Sequence, residues 1–93
     1  MLLVSYDFSN DKTRARFSKF LERYGRRVQY SVFELKNSKR VLDNVLTEID
    51  KKYKKEFANT DSIVIIPITP ADRKNVIRYG YAKHDESDVV VFR

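Results

Sequence analysis

The sequence contains no cysteine and no tryptophan, one histidine and only two glycines. Without cysteine there is no disulfide, no thiolate nucleophile and no cysteine-based zinc site. Gly25 and Gly80 alone are too few to build a glycine-rich phosphate loop. His84 lies in a polar, acidic stretch, where a lone histidine is far more often solvated than catalytic. The candidate chemistry therefore falls to carboxylates, arginines and tyrosines.

Long apolar runs are also missing from the chain. No stretch approaches the roughly 20 apolar residues that span a bilayer, and the first residues lack the basic-then-apolar pattern of a signal peptide. We therefore expect a cytoplasmic protein that has no membrane partner.

Positive charge is what the chain has in excess. Its 93 residues carry 19 Lys and Arg against 13 Asp and Glu, a formal charge of +6. This balance favours a polyanionic partner such as nucleic acid, although it also suits a plain solvated surface. The length allows one domain with a modest core, so a second copy of the chain could usefully cover part of its surface.

Hydrophobic periodicity predicts alternating strands and helices. A short apolar run gives the first strand, and apolar residues at helical spacing followed by Gly25 give the first helix. The next stretch is extended, either bent or split into two short strands, and Ser38 is the candidate N-cap of a second helix. In order, the predicted elements are Met1–Phe8, Lys12–Tyr24, Arg26–Lys36, Ser38–Phe57 and Asp61–Thr69. Such alternation indicates a sandwich with both helices on one face of a small sheet.

The chain after Pro70 is polar, with a short strand expected at Asn75–Tyr79, and it ends with the apolar residues Val89–Phe92. An exposed apolar strand would aggregate unless it is paired. We therefore expect Val89–Phe92 to add to the edge of a sheet, either that of a second copy of the chain or its own.

Asp7 ends the first strand, just before the first helix, where ligands of α/β layers tend to bind. A carboxylate at this place often serves as a turn or cap residue. Ser9, Asn10 and Asp11 are all competent N-caps, however, so the helix does not need Asp7, and a functional role is favoured. One carboxylate is a poor site for Mg²⁺, but a two-fold dimer would supply a second.

Basic residues gather on the first helix and on the segment after it. Four cations of the helix share about one quadrant opposite the apolar face, a stripe of uniform sign. They are Lys12, Arg16, Lys19 and Arg23. Arg14, in the first turn, can point back toward the end of the strand. Arg16, Arg26 and Arg27 are further candidates for bidentate phosphate contacts, with an ordinary solvated position as the alternative for each.

Two aromatic residues of the extended segment, Tyr30 and Phe33, could stack on bases, as aromatic residues do in proteins that bind single strands. An aromatic residue in a strand is more often part of the core. We expect the core position for Tyr30, whereas the pattern leaves both roles open for Phe33.

Four stretches in a fixed order carry a resemblance to a known family. They are YDFSNDKTRARFSKFLERYG, RRVQYSVFELKN, IIPIT and the final VVVF. The chain resembles the small CRISPR-associated adaptation nuclease family, the smaller of the two universal CRISPR adaptation proteins. This implies an α+β fold, a ferredoxin-like βαββαβ sandwich with an additional C-terminal strand, in which Arg26–Lys36 supplies strands two and three. Residues 1–80 would form the domain, and residues 81–93 an arm whose strand pairs with the partner subunit of a homodimer.

The resemblance also implies a site. The Asp7 of each subunit would meet at the dimer interface and bind one shared divalent cation, Mg²⁺ or Mn²⁺. The positions that match the family's catalytic pattern are Tyr6, Asp7, Arg14, Arg16, Arg27 and Phe33. Arg26 lies outside that pattern and is at most an extra phosphate contact, alongside the basic stripe of the first helix.

Three functions are compatible with the resemblance. The first is a Mg²⁺-dependent endonuclease of CRISPR adaptation that cleaves single-stranded RNA or double-stranded DNA, with endoribonuclease activity preferred. The second is a noncatalytic dimer that binds duplex DNA and bridges two dimers of the CRISPR integrase. The third is a toxin-like endoribonuclease that acts on messenger RNA.

Overall fold

The computed structural model describes residues 1–75 and residue 77. The elements are β1 (Leu2–Asp7), α1 (Asp11–Leu21), β2 (Gly25–Gln29), β3 (Val32–Leu35), α2 (Lys39–Glu48), β4 (Ser62–Pro67) and α3 (Pro70–Arg73). A π-helical segment (Ile49–Tyr53) and a 3₁₀ turn (Lys54–Glu56) continue α2. None of these helices is long and apolar enough to cross a membrane.

The four strands form one antiparallel sheet in the order β2-β3-β1-β4. The strand β1 lies between β3 and β4 and is antiparallel to both. Because β3 is inserted between β1 and β2, the unit β1-α1-β2 is a split βαβ motif, which gives the ferredoxin-like topology. The predicted α+β class and the βαββαβ order are therefore confirmed.

Side-chain caps define where the two long helices begin. The Asn10 side chain accepts a hydrogen bond from the Thr13 N–H at 3.0 Å, and Ser38 accepts one from the N–H three residues later at 3.1 Å. Ser38 is thus the N-cap of α2, as predicted, and Asn10 is the one of three candidates that caps α1. The helix α1 ends at Leu21, earlier than predicted, whereas helical backbone after α2 continues to Glu56.

The predicted extended segment is two strands joined by a two-residue turn, Tyr30 and Ser31. The sequence conceals this break because neither residue has the glycine or asparagine preference of tight hairpin turns. Two contacts stabilise the turn: the Tyr6 N–H donates to the Ser31 carbonyl at 3.0 Å, and the Arg27 guanidinium donates to the Tyr30 carbonyl. The two strands that the resemblance implied are confirmed.

Gly25 has a different role from the helix stop that its position suggested. It opens β2 opposite Leu35, and a Cβ atom added to it would lie 2.0 Å from the Glu34 carbonyl oxygen. Only glycine allows the two backbones to approach this closely. Gly25 is therefore required by the pairing of β2 with β3 rather than by the end of α1.

Both long helices pack on the same face of the sheet, as predicted. Alternate residues of β1 and β3 point to this face and are buried against α1, α2 and the π-helical segment. The largest fully buried side chains are Leu2, Val4, Phe8, Phe17, Leu21, Phe33, Leu35, Val45 and Tyr53. The Phe17 ring centroid lies 5.1 Å from that of Tyr6 and 4.8 Å from that of Tyr53. The core is therefore built around an aromatic cluster.

The other face of the sheet is uncovered in the described part of the chain. Val64 is 51% exposed and Ile66 is 47% exposed, although both are apolar residues of β4. Ile63 and Ile65 alternate with them and pack against the core. We call the uncovered surface the open face. Its members on β1 and β4 are Leu3, Ser5, Asp7, Val64 and Ile66.

After β4 the structure differs from the predicted polar, turn-prone arm. Pro70–Arg73 forms the short helix α3, whose N-cap Thr69 accepts a backbone hydrogen bond at 3.2 Å. Proline at the start of a helix suits this arrangement, because its missing N–H would have no helical partner there. The strand predicted at Asn75–Tyr79 lies largely outside the described residues. The predicted arm 81–93, with its strand Val89–Phe92, lies wholly outside them.

Candidate functional site

Asp7 ends β1 with its side chain exposed on the open face. It does not cap α1, because Asn10 supplies that hydrogen bond. Among the described residues the Asp7 carboxylate has no hydrogen bond and no ion pair. Since Asp7 has no structural role in this part of the chain, its carboxylate is available to a ligand.

A second carboxylate at the same end of the sheet is already engaged. Asp61 precedes β4, and its two oxygens accept hydrogen bonds from the N–H groups of Ala58 and Ser9, both at 2.9 Å. These bonds stabilise the charged form and hold the pKa of Asp61 below its ordinary value. They also tie the loop before β4 to the loop before α1. Asp61 therefore has the structural role that Asp7 lacks.

The described residues contain no cluster of three or more histidine, aspartate or glutamate side chains that could hold a metal. At the end of β1 they offer Asp7. Mg²⁺ commonly takes one or two carboxylates and completes its six positions with water and phosphate oxygens. Asp7 thus fits a divalent cation in donor type, whereas both oxygens of Asp61 at the same end of the sheet already accept backbone hydrogen bonds.

Arg14 lies in α1 with its guanidinium turned back to the end of β1, as predicted. Its Nη1 atom donates to the Phe8 carbonyl at 3.0 Å, and its Nη2 atom contacts the Asp11 carboxylate. The hydrogen bond with Asp11 raises the pKa of Arg14 above its ordinary value. The guanidinium carbon also lies 5.7 Å from the centre of the Tyr30 ring. Arg14 is therefore held beside the residue that follows Asp7.

Arg27 joins the hairpin to α1 on the helix side of the sheet. Its guanidinium carbon lies 5.2 Å from the centre of the Phe33 ring, and its Nη atoms donate to Ser18 Oγ and to the Tyr30 carbonyl. Arg14 also contacts Tyr30, so the two arginines hold the hairpin turn between them.

A shallow depression of about 380 Å³ lies between α1 and the hairpin turn. Its cations outnumber its carboxylates by three to two. We call it the hairpin groove. Its lining includes Asp11, Arg14, Lys19, Glu22, Arg27 and Tyr30. Arginines beside an aromatic ring are groups that contact phosphates and bases in nucleic acids.

Arg16 lies on the other side of α1 from Arg14. Its guanidinium contacts Glu56 in the 3₁₀ turn and lies 3.4 Å from Thr13 Oγ1. The hydrogen bond from Arg16 lowers the pKa of the Glu56 carboxyl below its ordinary value. Residues two apart on a helix do not face each other. Arg14 and Arg16 therefore lie on two different surfaces of α1.

The four cations of the predicted basic stripe are all exposed, three on α1 and Arg23 in the turn that follows it. The members of the stripe are Lys12, Arg16, Lys19 and Arg23. A second depression, of about 410 Å³, lies between α1 and the π-helical segment, where Lys52 adds a further cation. Arg26, the remaining predicted contact, lies 3.6 Å from the Glu34 carboxylate. Glu34 lies between the core residues Phe33 and Leu35 of β3, and Arg26 is its partner across the β2–β3 pair, so Arg26 is on the face of the sheet away from the stripe.

Tyr6 and Phe33, predicted as catalytic residues, are buried in the core with 2% and 0% of their surface exposed. Neither ring can contact a ligand or stack on a base. Both side chains point to the helix side because of the alternation along β1 and β3. They therefore support the site by packing, and Phe33 does so directly beneath Arg27.

Tyr30 is exposed where the sequence predicted a buried side chain. We predicted it in the core, but it is 71% exposed at the hairpin turn. Val28 and Phe33 both face the core although they are five residues apart, and in a continuous strand that spacing would place them on opposite faces. This odd spacing of two apolar residues is the signal that could have revealed the turn and the exposure of Tyr30.

Solved structures share the fold of this chain. The crystal structure of Streptococcus pyogenes Cas2 aligns with a TM-score of 0.66 over 81% of this chain and 93% of that chain, at 24% identity. A hypothetical protein from Thermus thermophilus aligns with a TM-score of 0.59 over 73% of this chain and 79% of that chain, at 28% identity.

Sequence relatives extend over most of the chain. The CRISPR-associated endoribonuclease Cas2 3 of Synechocystis is 35% identical over 69 residues, 74% of this chain and 72% of that protein. The CRISPR-associated endoribonuclease Cas2 2 of Methanospirillum hungatei is 30% identical over 98 aligned positions, 97% of both chains. Residues 1–76 match the family model of the CRISPR associated protein Cas2. With the ferredoxin-like fold already established, these matches place the chain in the Cas2 family.

Proposed function

We propose that this chain is a metal-dependent endonuclease of CRISPR adaptation that works as a homodimer in the cytoplasm. Single-stranded RNA is the proposed first substrate and double-stranded DNA the alternative. The observation that carries the proposal is the exposed Asp7 carboxylate at the end of β1, which no described residue engages. Relatives that carry the name endoribonuclease support the assignment to phosphodiester cleavage.

The open face supports the homodimer. Leu3, Val64 and Ile66 form an apolar patch there, and a contiguous exposed apolar patch is typical of an association surface. Asp7 lies on the same face. If two copies pack their open faces together about a two-fold axis, both Asp7 side chains lie in one interface and supply two carboxylates to one cation.

Each group of the site has a separate task in phosphodiester hydrolysis. A bound Mg²⁺ or Mn²⁺ supplies a water of lowered pKa and neutralises charge on the phosphate. The Asp7 side chains hold that cation. Arg14, kept near the end of β1 by its bond to the Phe8 carbonyl, and Arg27 at the hairpin bind phosphate oxygens with their remaining donors.

The adaptation role extends the proposal to a protein partner, the CRISPR integrase. In such an assembly the chain would hold duplex DNA as well as cleave nucleic acid. The exposed stripe of four cations on α1 offers phosphate groups a surface away from the open face. Because the stripe and the open face are separate, one dimer could associate through the sheet and bind DNA through its helices.

The experiment that tests the nuclease proposal compares the wild type with Asp7→Asn. Labelled single-stranded RNA and double-stranded DNA are incubated with each protein, with Mg²⁺ and with a chelator. We expect Asp7→Asn to abolish metal-dependent cleavage while the far-UV circular dichroism is unchanged, because Asp7 is exposed and has no described structural contact.

Asp43→Asn is the matched control, since Asp43 is an exposed carboxylate on α2, away from the end of β1. It removes the same charge and should cleave at the wild-type rate. Cleavage by Asp7→Asn at that rate would overturn the metal-ligand role. If the wild type and the variant both fail to cleave but both bind duplex DNA, the noncatalytic scaffold is the function.

A further inference from the structure

Tyr30 is 71% exposed, and its ring contacts the Arg14 guanidinium rather than the core. Every other aromatic side chain there is buried or half-buried, and only Tyr30 is largely open to solvent. A two-residue turn ordinarily carries small or polar residues. A tyrosine at this place leaves apolar surface uncovered.

Hydrogen bonds hold the backbone of the turn, and the Arg14 guanidinium contacts the Tyr30 ring. The Ser31 carbonyl is hydrogen-bonded to β1, and the Tyr30 carbonyl is hydrogen-bonded to Arg27. The Arg14 guanidinium lies over one side of the ring at 5.7 Å, a cation–π distance. A ring that is already oriented loses little entropy when a flat group stacks on it, so this arrangement favours binding.

The hairpin groove beside the ring is suited to phosphate. Arg14, Lys19 and Arg27 contribute three cations, and one of the two carboxylates, Asp11, is already paired with Arg14. A stacking ring next to such a groove is the arrangement by which proteins bind unpaired nucleotides. Bases inside a duplex are stacked on each other and do not offer a free face to a side chain.

We propose that Tyr30 is a base-stacking residue and that the hairpin groove binds single-stranded nucleic acid, with an unpaired base on the Tyr30 ring and the adjoining phosphates on Arg14, Lys19 and Arg27. This inference rests on the proposed nuclease function and adds to it a residue that binds an unpaired base. It assigns to Tyr30 the stacking role that the buried Phe33 cannot have.

The first test measures the affinity of fluorescent oligonucleotides in a chelator, so that no cleavage occurs. Tyr30→Ala should weaken the binding of a single strand about 5- to 150-fold, the range that the loss of one base–aromatic stack gives. Tyr30→Phe keeps the ring and should bind within about twofold of the wild type. Duplex affinity should change by less than about twofold in both variants, because paired bases do not reach the ring.

Salt dependence separates stacking from charge. Tyr30→Ala should leave the slope of log affinity against log salt unchanged. Lys19→Gln, in the same groove, should reduce the slope by about 0.7, because the variant neutralises one phosphate fewer on a single strand. Leu46→Ala is the matched control for the removal of an exposed apolar side chain, since Leu46 is exposed on α2. It should change neither affinity nor slope.

Three results would overturn the proposal: single-strand binding by Tyr30→Ala at wild-type affinity, equal weakening in Tyr30→Ala and Tyr30→Phe, or equal weakening of single strands and duplex. Circular dichroism and unfolding by urea confirm that each variant is folded. Since binding is measured without metal, the outcome is independent of the Asp7→Asn experiment. Either proposal can fail while the other stands.

Discussion

The two faces of the sheet are made by the same strands and differ in how much of their apolar surface is buried. On the helix side, residues of β1 and β3 are buried in an aromatic cluster. On the open face, Val64 and Ile66 leave about half of their surface to solvent, although they alternate along β4 with two core residues. The described part of the chain therefore buries one face of the sheet and leaves the other largely uncovered.

The candidate functional groups lie at one end of this sheet, where β1 finishes and the hairpin turns. Asp7 is there on the open face, whereas Arg14 and the Tyr30 ring belong to the helix side. The Asp7 carboxylate and the candidate phosphate-binding groups therefore do not share one cavity in the described part of the chain. If they act together, as proposed, either the substrate crosses the end of the sheet or a second chain contributes.

The largest expected effect is on the helix side. Phe17→Ala should lower the free energy of unfolding by about 3 to 5 kcal/mol, because it removes a fully buried ring from the centre of the aromatic cluster. Val64→Ala, a smaller truncation on the open face, should cost less than about 1 kcal/mol in the dissociated chain. Urea unfolding at low protein concentration measures both. Similar costs for the two variants would contradict the contrast between the faces.

Ile65 and Ile66, neighbours on β4, allow the two faces to be compared within one strand. Ile65→Asp places a charge against the core and should cost at least about 2 kcal/mol in unfolding free energy. Ile66→Asp places the same charge on the open face and should leave the chain folded. Sedimentation or light scattering should show that Ile66→Asp has the mass of one chain and the wild type that of two.

Metal-dependent cleavage provides a second measurement on the Ile66→Asp variant. If the two Asp7 side chains share a cation across the open faces, Ile66→Asp should lose metal-dependent cleavage while it keeps single-strand binding by the hairpin groove. A two-chain mass for Ile66→Asp would show that the copies do not associate through this face, and the shared cation would then have to be abandoned.

The sequence predicted the order of elements, the N-cap Ser38 and the packing of both helices on one face. These features depend on short-range patterns: apolar spacing of 2 or 3.6 residues and a side chain that caps its own helix. The same short-range reasoning singled out Asp7: Asn10 can cap α1, so the helix does not need the Asp7 carboxylate. Its partner groups could not be predicted, since they depend on how distant segments meet.

The errors concern the hairpin. Tyr30 and Ser31 lack the composition of a tight turn, and the contacts that stabilise it come from Tyr6 and from Arg27. One displaced turn changes the face of every residue beyond it. The exposed ring was therefore predicted in the core, and the role of Phe33 was left open. Gly25 was misread for a similar reason, because its constraint is the Glu34 carbonyl on the neighbouring strand.

On the helix side, the Tyr6 hydroxyl is the group whose removal should change the unfolding free energy least. The Tyr6 hydroxyl is buried and has no hydrogen-bond partner among the described residues. An unpaired buried hydroxyl costs stability, so Tyr6→Phe should leave the unfolding free energy unchanged or raise it by about 1 kcal/mol. Cleavage and single-strand binding should be unaffected, since the ring is enclosed by the core.

Tyr53→Phe is the control for this change, because the Tyr53 hydroxyl is not among the unpartnered buried groups. It should not raise the unfolding free energy. The informative contrary result is a Tyr6→Phe protein of unchanged stability that has lost metal-dependent cleavage. The hydroxyl would then act in the site despite its burial, and the helix side would contribute to the chemistry as well as to folding. Retained cleavage would instead confine the chemistry to the exposed groups at the end of β1.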